Sequence, residues 1–136
     1  MMIMLSISLP GTMPSDAYYD CRYAVLREPL GFQRGAEILS DDEQAIHAWI
    51  ELDDTVVSVG RAHLIPSGTD GSGADHKGPG AAKIPGFGPL SDDKNRPAIQ
   101  IRQMGTMDNY RRRGLAAQVL SLIHIDAADE SRGVDL

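Results

Sequence analysis

At 136 residues the chain has the length of one domain, enough to bury roughly two-thirds of the surface its unfolded form exposes. Its 42% hydrophobic and 24% charged residues are ordinary for a globular protein, and a net charge of −6 argues against a general nucleic-acid binder. A single cysteine, Cys21, excludes an internal disulfide and fits a reducing, cytoplasmic setting.

Met1 to Leu9 is apolar but lacks a basic leader and a small-residue cleavage site, and it is too short to span a bilayer. Ile3, Leu5, Ile7 and Leu9 alternate with less apolar positions, the period of a strand. Pro10 to Pro14 punctuates the chain. Ser15 then reads as a helix N-cap with Asp16 in the first turn. The helix carries Tyr18, Cys21, Val25 and Leu26 on one side, and Pro29 stops it near Glu28. Tyr18, Tyr19, Tyr23 and Tyr110 read as residues of the core edge.

Gly31 to Glu43 reads as loop. From Ala45 to Leu52 the alternation is strict, with Ile46, Ala48, Ile50 and Leu52 on one face and His47, Trp49 and Glu51 on the other. Asp53-Asp54 reads as a turn into the valine-rich strand Thr55 to Ile65, making an antiparallel hairpin. His63 is expected on the face of Val57, Val59 and Arg61. Pro66 to Pro97 holds seven glycines and five prolines without hydrophobic period, and reads as one long loop inserted in a single domain spanning 1–136. A lid is the role expected of it.

Ala98 to Thr106 reads as the next strand. Ile99 and Ile101 alternate, but Met104 falls out of phase, which suggests a bulge. A polar turn, Arg111 to Arg113 and Gly114 follow, and then a helix from Leu115 to about Ser131. Free N–H groups and the positive dipole end of such a helix attract anions, so a phosphorylated ligand is expected there. A solvated basic patch is the bland alternative. Gly133 reads as a helix-ending glycine, with Val134-Asp135-Leu136 opening another strand.

Arg111-x-x-Gly114-x-Ala116, after a bulged strand and opening a helix, resembles the acetyl-CoA motif of the GNAT superfamily of N-acetyltransferases, Gln/Arg-x-x-Gly-x-Gly/Ala. The upstream order of strand, helix and two antiparallel strands is similar too, as is the helical stretch Arg22 to Arg27. The resemblance implies an α+β fold, a mixed, mostly antiparallel sheet flanked by helices. It implies transfer of acetyl from acetyl-CoA to an amine of a small molecule or peptide. Backbone N–H groups from Arg112 to Ala116, Leu115 included, would hold the CoA pyrophosphate, with Arg111 to Arg113 supplying charge. Backbone groups of Met104 and Thr106 would pair with the pantetheine arm, and one would polarise the thioester carbonyl, a contact typically worth about 3 kcal/mol.

A full family member continues with a further strand, a helix and two more strands, and the family's frequent general acid, a tyrosine after the next strand, has no counterpart here. The expectation is a fold truncated after the acetyl-CoA helix, whose open sheet edge invites a homodimer. A non-catalytic acyl-CoA-binding module and an inactive truncated enzyme are the alternatives.

An amine must lose a proton to attack, and Glu51, His63 and His47 are the candidate bases, each equally readable as an ordinary strand-face residue. Four histidines and Cys21 show no metal-ligand spacing, so no metal is expected. His124 is expected to be partly buried. Neither a Gly-x-x-x-x-Gly-Lys phosphate loop nor a Gly-x-Ser-x-Gly elbow is present.

Overall fold

The structure is a computed structural model and describes residues 2–65 and 98–134. Four strands, β1 (Ile3–Ser8), β2 (Ile46–Leu52), β3 (Thr55–Ile65) and β4 (Ala98–Thr106), form one sheet in the order β1-β2-β3-β4, each pairing antiparallel. Helix α1 (Asp16–Leu26) covers one face and α2 (Leu115–Val134) the other, an α+β architecture. The expected loop 66–97 lies outside the described residues.

Alternation along β2 builds two cores. Ile46, Ala48, Ile50 and Leu52 meet Leu115, Val119 and Ile123 of α2, while Trp49 meets Tyr18, Tyr19 and Cys21 of α1. The strand is therefore buried on both faces. Ser15 caps α1 by accepting the Tyr18 amide at 3.3 Å. Pro29 lies in a short 3-10 turn, Glu28–Leu30, directly beyond the helix. Asp53 and Asp54 both adopt left-handed φ, +49° and +69°, the conformation a two-residue hairpin turn requires.

Two bulges shape the sheet. Ile50 pairs with Ser58 but Glu51 with Val56, leaving Val57 as the extra residue of β3. This corrects the face expected for Val57: it packs toward α2, whereas Val59 packs toward α1. On β4 the register moves from Gly105 opposite Val59 to Arg102 opposite Arg61, and Gln103 sits at φ +56°. That is the bulge signalled by the phase slip at Met104. Here both helices press on the sheet. A methyl group at Gly60 would overlap Met104, Val119 and Ile123, and one at Gly105 would lie 2.6 Å from Val25 Cγ2.

Other expectations change. The stretch Gly31 to Glu43, expected as loop, is partly core, with Glu37, Leu39 and Asp42 buried and a 3-10 turn at Asp42–Gln44. Tyr18 and Tyr19 are core residues rather than edge residues. α2 runs through Gly133 to Val134, so Val134 does not open a strand; glycine weakens a helix without having to end it. His124 is exposed, on the side of α2 away from Val119 and Ile123.

Candidate functional site

The open side of β4 meets the start of α2. Met107 N–H donates to the Val57 carbonyl at 2.8 Å, and Gly105 lies opposite Val59. In an antiparallel ladder alternate residues turn their backbone groups outward, so Met104 and Thr106 present theirs to the open edge. The Thr106 carbonyl accepts Arg111 Nε at 3.2 Å, and its hydroxyl meets Ser58 Oγ at 2.8 Å.

A 3-10 turn, Asp108–Tyr110, then swings the chain around. Arg112 at φ +65° and Gly114 at φ +75° complete the reversal. The first bond of α2 runs from Gln118 N to Gly114 O, so the N–H groups of Leu115, Ala116 and Ala117 precede its hydrogen-bond ladder. No acidic residue stands in that first turn. A cleft of about 320 Å³ lies here, walled by Met104, Thr106, Tyr110, Arg111 and Arg112 and floored by Gly114 to Ala117.

The cleft gathers the residues singled out in the sequence, in different capacities. Leu115 is buried in the α2 core, so only its backbone is available. Arg111 holds Thr106 and pairs with Asp108 at 3.2 Å, bracing the turn. Arg113 does not line the cleft; its guanidinium lies over the Tyr110 ring at 5.2 Å. Tyr110 in turn packs on the α2 core, so this stacking ties the arginine run to the fold. Arg112 lines the cleft wall too and is exposed, as Arg111 is.

The candidate bases are not brought together. Glu51 is half-buried and accepts Trp49 Nε1 at 3.4 Å. It pairs with Val56, seven residues along β3 from His63, a separation of about 23 Å at strand rise. His63 is half-buried opposite Gln100, with Nδ1 3.4 Å from Arg61 Nη2 and 3.7 Å from Asp41 Oδ2. His47 is fully buried.

His47 belongs to a polar core that the sequence reading missed. Asp42 is its centre. Fully buried, it accepts Arg22 Nη1 and Arg61 Nη1, both at 3.0 Å, with Tyr19 Oη and the Leu39 amide at 2.9 Å. Arg22 also donates to the Glu37 carbonyl at 2.8 Å and to Tyr18 Oη at 2.5 Å. His47 Nε2 donates to the Asp42 carbonyl at 2.7 Å, so Nδ1 accepts from Tyr18 Oη at 2.8 Å. Arg61 closes the cluster by pairing with Asp41 at 2.8 Å.

The environment fixes each charge. Burial alone would raise the Asp42 pKa, but Arg22, the Leu39 amide and the Tyr19 hydroxyl outweigh it and hold the carboxyl below its usual range. Burial pushes His47 down to about 4, so the ring is neutral. Burial also raises the Tyr18 phenol and the Cys21 thiol, each to about 12, which removes Cys21 as a nucleophile at neutral pH. A sequence signal for this core existed: Arg22 stands four residues from Tyr18 on the apolar side of α1, and Arg61 interrupts a valine-rich strand.

Among the described residues no group of histidines, cysteines and carboxylates is arranged to hold a metal, and no helix is long and apolar enough to cross a membrane.

No protein-family profile matches the chain, and no curated protein matches it in sequence. In structure it is similar to a putative N-acetyltransferase from Lactobacillus plantarum, seen by crystallography. The TM-score is 0.54 at 21% identity, over 93% of this chain and 68% of the other. The fold is thus shared with that structure, an open antiparallel sheet with a helix on each face.

Proposed function

We propose that the cleft between β4 and α2 binds acetyl-CoA and that the chain serves acetyl transfer to an amine. One observation carries this reading: the Gly114-led start of α2, with Arg112 beside it, opens onto the same cleft as the outward backbone groups of Met104 and Thr106. N–H groups without helical partners and an arginine suit a diphosphate. An outward strand edge suits the amides of an extended arm. The acetyltransferase fold of the structural neighbour supports the assignment.

In the reaction the acceptor nitrogen attacks the thioester carbonyl carbon. A backbone N–H of the β4 edge holds the developing oxyanion, the C–S bond breaks, and the thiolate leaves with a proton. One carboxylate or imidazole takes the proton lost by the amine and passes it, directly or through water, to the departing thiolate. Glu51 and His63 stand too far apart to share that task, so only one of them acts.

Acetyl-CoA is expected to raise the melting temperature of the protein, and Arg112→Ala to weaken that shift without changing the melting temperature of the free chain by more than a degree or so. No shift at saturating acetyl-CoA would sink the reading. Thiol release from acetyl-CoA over a panel of amines then separates an enzyme from a non-catalytic acyl-CoA binder. Glu51→Gln and His63→Gln, assayed in parallel, are expected to divide into one slow variant and one normal one.

A further inference from the structure

The sheet has a second edge, at β1, far in strand order from the cleft. Its first half is apolar on both faces and covered on neither: Met2, Ile3, Met4 and Leu5 are 67%, 55%, 48% and 51% exposed. Ile3 and Leu5 share the α2 face with Leu52 and Ile50, but α2 does not reach them. Met4 stands opposite Glu51 on the other face, beyond the reach of α1. Edge strands of soluble proteins are ordinarily protected by charges, prolines or bulges. Ile3 to Ser8 carries none of these.

The backbone is held ready. Asp53 N–H donates to the Met2 carbonyl at 3.0 Å, and the Asp53 carboxylate accepts the Met2 amide at 3.0 Å. That fixes the strand's parity: Met2, Met4 and Ser6 bond inward to β2, and Ile3, Leu5 and Ile7 turn their N–H and C=O groups outward.

We infer that this edge pairs with the β1 edge of a second copy of the chain, strand antiparallel to strand, making one eight-stranded sheet across a two-fold axis. Charge selects the occupant. From Met1 to Ser15 there is no charged side chain, while the whole chain carries −6. Two acidic copies meet here through side chains that carry no charge, with Glu51 and Asp53 one strand behind, whereas an anionic membrane would be repelled by the molecule as a whole. A two-fold axis at Met4 sets Ile3 against Leu5 of the other copy as a hydrogen-bonded pair, and Met4 against its own equivalent as the closer, non-hydrogen-bonded pair. The pairing satisfies the outward backbone groups, sets Ile3 beside Leu5 of the other copy on one face and Met4 beside its equivalent on the other, and leaves the cleft at β4 open. One strand on each side makes a small interface, so the dimer should be reversible on dilution.

The test is sedimentation velocity of the full chain across a dilution series, with mild oxidation of cysteine variants. The wild type is expected to pass from dimer to monomer on dilution. Ile3→Lys with Leu5→Lys should be monomeric throughout, with circular dichroism unchanged. Met4→Cys should form a covalent dimer on oxidation, while Leu5→Cys alone should not; Cys21, buried, gives a clean wild-type background. The cross-link decides the matter even if the lysine variant fails to fold. A wild type monomeric at every concentration overturns the inference. So does a dimer that survives the lysines, or one that cross-links through Leu5→Cys and not Met4→Cys. Binding to phosphatidylcholine vesicles by a monomer, lost with the same lysines, would assign the strip to a membrane instead.

Discussion

Arg111, Arg112 and Arg113 stand exposed at the start of α2, whereas Arg22 and Arg61 are fully buried between α1 and the sheet. The residue type is the same and the physics opposite. In the buried group each guanidinium has lost its water and depends on Asp42, so the charges are mutually obligatory. At the α2 start the arginines keep their water. Two are tied to the turn, through Asp108 and the Tyr110 ring, and Arg112 lines the cleft at a backbone angle that L-residues rarely adopt. The buried region secures one fold; the exposed region accepts local strain where a ligand would bind.

The largest test of this contrast is Asp42→Ala. It leaves two buried guanidiniums without their shared partner and is expected to cost about 3–5 kcal/mol in urea unfolding, enough to unfold a domain of ordinary stability. A loss below about 1 kcal/mol would mean the cluster is solvated, and the comparison would collapse.

Acid comes next. His47 titrates at about 4 in the folded chain against an ordinary value of 6.5. Between these values the unfolded chain holds more protons, so stability should be full above pH 6.5 and fall as pH drops toward 4, by on the order of 3 kcal/mol. Asp42, depressed, adds a further loss only at lower pH still. His47→Gln should flatten the decline between pH 6.5 and 4. A wild-type curve already flat there would show His47 protonated or exposed.

The smallest effect is expected at Arg112→Gly. Glycine adopts φ +65° without steric penalty, so the variant should gain about 0.5–1 kcal/mol of stability while binding acetyl-CoA less well. Stabilisation with unchanged binding would place the arginine outside the ligand's reach and sharpen the role of the α2 backbone.

The two regions also differ in how visible they were beforehand. The cleft is built from a contiguous stretch, so its parts were readable together: the phase slip at Met104 became the bulge at Gln103, and Gly114 became the left-handed residue before α2. The buried cluster draws Arg22, Asp42, His47 and Arg61 from a helix, a loop and two strands. In one dimension each is a lone polar residue. Only their convergence makes them a network, and the same convergence drew part of the loop Gly31 to Glu43 into the core. The valine faces of β3 failed for a smaller reason: one extra residue at Val57 inverts the alternation, and valine's propensity for strands does not record which side it faces.

The sequence by itself determined the elements, because periodicity, a Ser15 cap, an Asp53-Asp54 turn and a glycine before a helix act through neighbours in the chain. It also determined that positive charge and unpaired N–H groups would meet at the start of α2. The tertiary structure decided what depends on distance in space. It separated Glu51 from His63, closed the ion pairs around Asp42, opened a cleft beside Thr106, and left the first half of β1 uncovered on both faces. Local order follows from bonded neighbours and period; burial, charge pairing and open edges follow from which elements pack against which, and no single stretch of chain contains that information.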